Sequence, residues 1–200
     1  MLVFVRHGES IANAGGITMP HPDIPLTALG QSQAQAIADC IGFKAASVLA
    51  SQFVRSQETA KPYCLSMALP LEVDARLNEF SSLSLASIVG MEGTQRRRLA
   101  AAYWQRADPW FRTGDGADTF VEFAQRVAEF REAIPQLPSR VAIFGHGIWL
   151  GMLIWQLLGF ASNGSDDMRA FRHFQQKLPM SNGVIYRLNR EGRRWEITHL

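Results

Sequence analysis

Two short apolar runs, each ending abruptly at a histidine, constrain this chain more than any other feature. The first is Leu2-Val3-Phe4-Val5, followed by Arg6-His7-Gly8-Glu9; the second is Val141-Ala142-Ile143-Phe144, followed by Gly145-His146-Gly147. Short continuous apolar runs read as strands buried on both faces, as in parallel sheets covered by helices. Ligands bind such sheets beyond the carboxyl ends of the strands. Two strands ending in histidine therefore predict one site assembled from both ends of the sequence.

The rest of the chain is consistent with a single α/β unit. Its 200 residues match one domain, residues 1–200, with an insertion at about 80–117. The 47% hydrophobic content supplies a substantial core, and a net charge of +2 gives no global attraction to nucleic acid or membrane. Residues 141–160 form a run of about twenty mostly apolar positions, near bilayer-spanning length. Gly145-His146-Gly147 breaks that run with an ionisable group, which favours a strand, a turn and an apolar helix over a membrane span. Cys40 and Cys64 fall in no metal or redox spacing, and the first strand begins at residue 2. The expectation is two buried or half-buried thiols in a reducing cytoplasm.

Strand and helix alternate along the sequence. Strands are expected at Leu2–Val5, Ser47–Ala50, Leu71–Val73 and Arg140–Phe144, with a closing hairpin of Val184–Leu188 and Arg194–Thr198 turning through residues 189–192. Thr27 is a candidate N-cap for a helix through Cys40, and Thr119 with Glu122 has capping-box spacing for a helix to about Ala133. Further helices are expected at Phe53–Met67, bent at Pro62, and at Ile148–Leu158. The pattern predicts a three-layer α/β/α sandwich around a mostly parallel sheet. Residues 80–117 break the alternation and read as a small helical cap over the site.

Arg6 beside His7 points to phosphoryl chemistry. Arginine is always charged and its planar fork suits phosphate oxygens. A histidine with one unprotonated ring nitrogen can attack phosphorus. His146 offers a second donor, and the Gly147 amide opens a helix whose N-terminus favours an anion. Arg55 falls on the first turn of the helix after the second strand. Glu79 follows the third strand, where a raised pKa would let it protonate a leaving oxygen; Glu9 and Glu92 are competing acids.

Arg6-His7-Gly8-Glu9-Ser10, Pro25-Leu26-Thr27-Ala28-Leu29-Gly30, the segment Ser51–Ala60, Glu79 and Gly145-His146-Gly147 together resemble the histidine phosphatase superfamily, in its phosphoglycerate-mutase-like (RHG) branch. The resemblance spans nearly the whole chain in order, to Ser181-Asn182-Gly183. It implies cofactor-free, metal-free chemistry through a phosphohistidine. His7 would be the nucleophile, Arg6, Arg55 and His146 the phosphate pocket, Glu79 the proton donor, and Asn13 a further phosphate contact. Gln52 and Ser56 replace the family's proline and alanine. The mutases' Trp-Glu-Gly pattern after Glu79, and their tryptophan near Asn13, are absent.

These features predict a phosphomonoesterase acting on a small phosphorylated metabolite. The alternatives are a phosphoglycerate-mutase-type phosphotransferase and an inactive module that binds phosphorylated ligands. A metal site built on His7 and His146 is disfavoured, because Arg6 and Arg55 would repel a cation. His21, His173 and His199 read as surface or loop histidines. Arg96-Arg97-Arg98, with Tyr103, Trp104 and Trp110, is either a substrate contact or a solvated helix face, and the second is preferred. Nothing else supports a nucleic-acid partner.

Overall fold

The computed structural model describes residues 1–192 and 194–200. Six strands form one sheet: β1 (Leu2–Arg6), β2 (Ser47–Ala50), β3 (Leu71–Val73), β4 (Val141–Gly145), β5 (Ile185–Glu191) and β6 (Arg194–His199). Their spatial order is β3-β2-β4-β1-β5-β6. The pairs β1–β4, β2–β4 and β2–β3 are parallel; β1–β5 and β5–β6 are antiparallel. The expected sheet is present, with β5 continuing through Asn189-Arg190-Glu191, where a turn was anticipated.

Strand periodicity divides the core into two layers. Leu2, Phe4, Val141 and Ile143 face α5 (Phe120–Ala133), α6 (Gly147–Leu157) and α7 (Ser165–Lys177). Val3, Val5, Ala142 and Phe144 face α1 (Ala28–Cys40) and α2 (Val54–Met67). Successive side chains on a strand point to opposite faces, so an all-apolar strand must be covered twice. Phe4 stacks on Trp149 with ring centroids 5.5 Å apart, and both are fully buried. Burying such a side chain contributes about 1.5–3 kcal/mol.

The helix ends follow the sequence signals. The Thr27 side chain accepts from the Gly30 amide at the start of α1. Thr119 and Glu122 exchange hydrogen bonds at the start of α5. α2 continues through Pro62. α7 opens with the Asp167 carboxylate accepting from the Asn163 and Gly164 amides at 3.2 and 2.9 Å. Residues 80–117 contain the short α3 (Leu85–Ile88) and α4 (Gly93–Arg106). Tyr103 and Trp104 of α4 are buried against Phe80, Phe111, Phe120 and Phe171, which makes them core rather than ligand-facing residues. Trp110 is exposed.

The cysteine expectation is half corrected. Both thiols are free, but only Cys64 is buried; Cys40, the last residue of α1, faces solvent. Among the described residues no helix is long and apolar enough to cross a membrane. The apolar run at 141–160 resolves into β4 and α6, turning at His146.

Candidate active site

Parallel pairing of β1 with β4 sets Arg6 opposite Gly145, so the next residue of each strand, His7 and His146, emerges at the same sheet edge. Their ring centroids lie 5.2 Å apart in an edge-on arrangement. Gly145 is required here: a Cβ on it would lie 2.7 Å from the Phe4 ring. The loop after His7 packs against the first turn of α1 so tightly that a Cβ on Gly30 would come within 2.0 Å of the Glu9 carbonyl oxygen. The Gly8 amide donates to Thr59 Oγ1 at 3.1 Å, fixing the same loop to α2.

His7 is buried, and its Nδ1 donates to the Gly8 carbonyl at 2.6 Å. That assignment leaves Nε2 as the lone-pair nitrogen. Arg55, on the first turn of α2, donates from Nε to His7 Nε2 at 3.2 Å and from Nη1 to the His21 carbonyl at 2.8 Å. Its guanidinium also lies 4.8 Å from the Phe53 ring centroid. Burial, then the charges of Arg55 and Arg6, hold the His7 pKa well below the ordinary histidine value. Arg55 is itself lowered to about 10, mainly by burial. The ring at position 7 is therefore neutral around neutral pH, with its Nε2 electron pair accepting from a cation.

Arg6 donates from Nη1 to the Met180 carbonyl, while its Nε is buried without a partner. Gly147 makes room for this side chain, because a Cβ there would lie 3.3 Å from Arg6 Nε and 2.9 Å from Met180. Gly147 is the first residue of α6, where the amide has no intrahelical acceptor. His146 is fully buried, its Nε2 pairs with Ser51 Oγ at 2.7 Å, and its Nδ1 has no partner. Burial first, then Arg55, lowers its pKa well below the ordinary value.

Glu79 is half-buried beside α6. Its Oε1 accepts from the Phe80 and Trp149 amides, both at 2.9 Å, and its Oε2 from the Ile148 amide at 3.0 Å. Desolvation raises its pKa, against the lowering effect of those amides and of Arg55 and Arg6. The competing acids are placed otherwise. Glu9 accepts from the Thr27 hydroxyl at 2.8 Å, and Glu92 is exposed at the N-cap of α4.

Asn13 lies on the exposed rim. Its Oδ1 accepts from Ser10 Oγ at 3.0 Å and from Asn182 Nδ2 at 3.0 Å. Asn182 also donates to the His7 and Gly8 carbonyls at 3.1 and 3.2 Å. The substituted Ser56 is buried, accepting from the Ser51 amide and donating to the Phe144 carbonyl, each at 3.0 Å. It thereby joins the ends of β2 and β4.

One site residue was misjudged from the sequence. His21, expected as a loop or surface histidine, lies in a 3₁₀ turn (His21–Asp23) and lines the cavity beside Glu79. That cavity, about 290 Å³, is also walled by Phe53, Asn78, Ser81, Leu83 and Asp118. His21 Nδ1 pairs with Ser81 Oγ at 3.0 Å, and burial lowers its pKa to about 4. Its one sequence signal is its position in the loop between two blocks that both pack at the site. His173 and His199 are exposed, as expected.

The basic triplet divides. Arg96 reaches across to the loop after β1, donating from Nη1 to the Gly16 carbonyl at 2.8 Å and Thr18 Oγ1 at 2.7 Å. Arg97 and Arg98 are exposed, so the solvated-face expectation holds for them and fails for Arg96.

Known proteins resemble this chain in sequence and in fold. The sequence profile of the Histidine phosphatase superfamily (branch 1) matches residues 2–200. The Adenosylcobalamin/alpha-ribazole phosphatase of Escherichia coli (strain K12) is 30% identical over 165 residues, covering 79% of each chain. The "Probable phosphoglycerate mutase GpmB" of Yersinia enterocolitica is 25% identical over 199 residues, covering 96% of this chain and 85% of its own. The crystal structure of the Alpha-ribazole Phosphatase from Shigella flexneri superposes with a TM-score of 0.76 at 25% identity, covering 100% of this chain and 95% of its own. Mycobacterial glucosyl-3-phosphoglycerate phosphatase superposes with a TM-score of 0.75 at 24% identity, covering 99% and 96%. This chain, with its paired strand-end histidines, belongs to the histidine phosphatase superfamily.

Proposed function

We propose that this protein is a metal-independent phosphomonoesterase of the histidine acid type, acting on a small phosphorylated metabolite through a phosphohistidine at His7. The observation that carries the reading is the hydrogen bonding of the His7 ring: Nδ1 donates to the Gly8 carbonyl, and Nε2 is turned toward Arg55. A neutral imidazole held in this tautomer presents a nucleophilic lone pair. An arriving phosphoryl group takes over the guanidinium of Arg55, which frees Nε2 for in-line attack on phosphorus. Arg6, Arg55, the His146 ring and the Gly147 amide supply donors for the equatorial oxygens, where charge must be stabilised. Asn13 adds its side-chain amide at the rim.

Glu79 is the proton donor in this reading. Oε1 already accepts two amides and Oε2 only one, so Oε2 has the spare capacity to carry the proton. In the first step the P–O bond to the substrate alcohol breaks as Nε2 bonds to phosphorus, and the alcohol leaves with the Glu79 proton. In the second step the Glu79 carboxylate takes a proton from water, which attacks phosphorus and releases inorganic phosphate and free His7.

The mutase reading is weaker. Among the described residues, the one cation lining the cavity beside Glu79, Arg126, is neutralised by Asp118 at 2.9 Å. Such a wall suits the neutral part of an alcohol better than a second phosphate.

Hydrolysis of p-nitrophenyl phosphate in chelator, by wild type and His7→Ala, tests the proposal. Chelator-resistant activity in wild type and background activity in the variant are expected. Near-wild-type turnover in folded His7→Ala would overturn the nucleophile assignment.

A further inference from the structure

We infer that Ser51 is a positioning residue that holds His146 as its Nδ1–H tautomer, so that Nδ1 donates to the phosphoryl group. The inference rests on the phosphatase reading, but its evidence is separate.

Ser51 and His146 are both fully buried, and Ser51 Oγ lies 2.7 Å from His146 Nε2. Among the described residues, the only other partner of Ser51 Oγ is the Phe53 amide, which donates to it at 3.2 Å. The serine oxygen is thus already an acceptor, and the one acceptor facing its hydroxyl hydrogen is His146 Nε2. A neutral imidazole that accepts at Nε2 must carry its proton at Nδ1. That nitrogen is enclosed and unpartnered.

The opposite tautomer leaves more unsatisfied. With the proton on Nε2, the Ser51 hydroxyl hydrogen would have no acceptor and Nδ1 would be a buried acceptor without a donor. Each such group costs its desolvation free energy. With the proton on Nδ1, a single donor is left over, and it is the kind an anion satisfies. Burial and the neighbouring Arg55, His7 and Arg6 also oppose the imidazolium. The free site therefore keeps one N–H unspent until phosphate arrives.

This arrangement also explains the placement of Ser51 at the first residue past β2. Its amide is held by Ser56 Oγ, which in turn is held by the Phe144 carbonyl of β4. The hydroxyl is therefore fixed relative to the strand that carries His146.

The test is ¹⁵N–¹H correlation of the histidine ring nitrogens at neutral pH, with His146 assigned by substitution, before and after adding inorganic phosphate. Wild type is expected to show a protonated Nδ1 and an unprotonated Nε2, with the Nδ1 signal moving on phosphate addition. A protonated Nε2 in wild type would overturn the inference. Ser51→Ala should lose the tautomer preference and lower kcat for p-nitrophenyl phosphate roughly tenfold to a hundredfold, whereas Ser51→Thr, which keeps the hydroxyl, should recover most of it. A folded Ser51→Ala within about twofold of wild-type kcat/KM would also overturn it. If Ser51→Ala does not fold, the wild-type spectrum decides alone. Full activity in His7→Ala would sink the phosphatase mechanism while leaving the tautomer result standing.

Discussion

At the ends of β1 and β4, each of Arg6, His7, His146 and Gly147 is the terminal residue of an element or its immediate neighbour, whereas residues 80–117, anchored in the core by Phe80, Tyr103 and Trp104, meet the loops around the cavity through long side chains reaching across space. The first region is rigid because backbone hydrogen bonds of the sheet and helix termini fix it, and a strand end cannot shift without breaking its ladder. Outside that core, the second depends on contacts such as Arg96 to Gly16 and Thr18, and the Ser81 amide to Asp118, itself paired with Arg126 at 2.9 Å. Such contacts are individually modest. In the proposed mechanism the chemistry sits on the first region, and the cavity that would take the leaving group is bordered by the second, through Ser81, Leu83 and Leu85. Binding and catalytic variation generally resides on segments carried by a rigid scaffold.

Substitutions in the two regions should therefore separate by size and kind. Glu79→Gln should lower kcat for an alkyl phosphate by about 10²–10⁴, and by less for p-nitrophenyl phosphate, whose leaving group departs without a proton. In wild type, the acid step with alkyl phosphates should weaken as pH rises through the raised pKa of Glu79, and stopped-flow rates across pH would show it. An unchanged alkaline limb in Glu79→Gln would break the assignment.

Gly30→Ala places a methyl against the Glu9 carbonyl and should destabilise by about 1–3 kcal/mol or more. Chemical denaturation would measure it, and a wild-type midpoint would show that the loop after β1 is looser than the packing implies. Arg96→Ala removes charged donors to Ala12, Gly16 and Thr18 of the loop after β1 and to the Met91 carbonyl and should cost about 1–2 kcal/mol, with a rise in KM larger than any fall in kcat. Arg98→Ala, on an exposed face, should stay within about 0.5 kcal/mol of wild type. A large loss there would blur the line between the two regions.

Stability should also depend on pH in a set direction. His7 and His146 have folded pKa values below the unfolded one, so the unfolded chain binds more protons as pH falls below the ordinary histidine value. Their neutral burial is fully compatible with folding above that value and opposes it progressively below. Thermal melts should show a falling midpoint on acidification, and His146→Gln should flatten part of that fall.

The sequence was most legible where structure is local. Thr27 and Thr119 announce their helices because a cap is a three-residue event, and the strands before His7 and His146 announce themselves by unbroken apolarity. α7 escaped notice because its first residue follows a glycine and its cap comes from Asp167, reaching backward. His21 escaped because its role is made by tertiary contacts with Ser81 and Arg55, sixty and thirty-four residues away. Arg96 looked like its neighbours because a run of like charges does not reveal which member turns inward.

The place of β1 in the sheet has a consequence for when the enzyme can first work. β1 precedes the other five strands in sequence, yet both strands that flank it, β4 and β5, come from the last third of these 200 residues. The carbonyls of His7 and Gly8 are held by Asn182, nearly a whole chain length away. Contacts of such sequence separation carry the full loop-closure cost and form late. A growing polypeptide thus carries His7, the proposed nucleophile, well before the strands that frame it, and competence arrives only as the C-terminal hairpin closes beside β1.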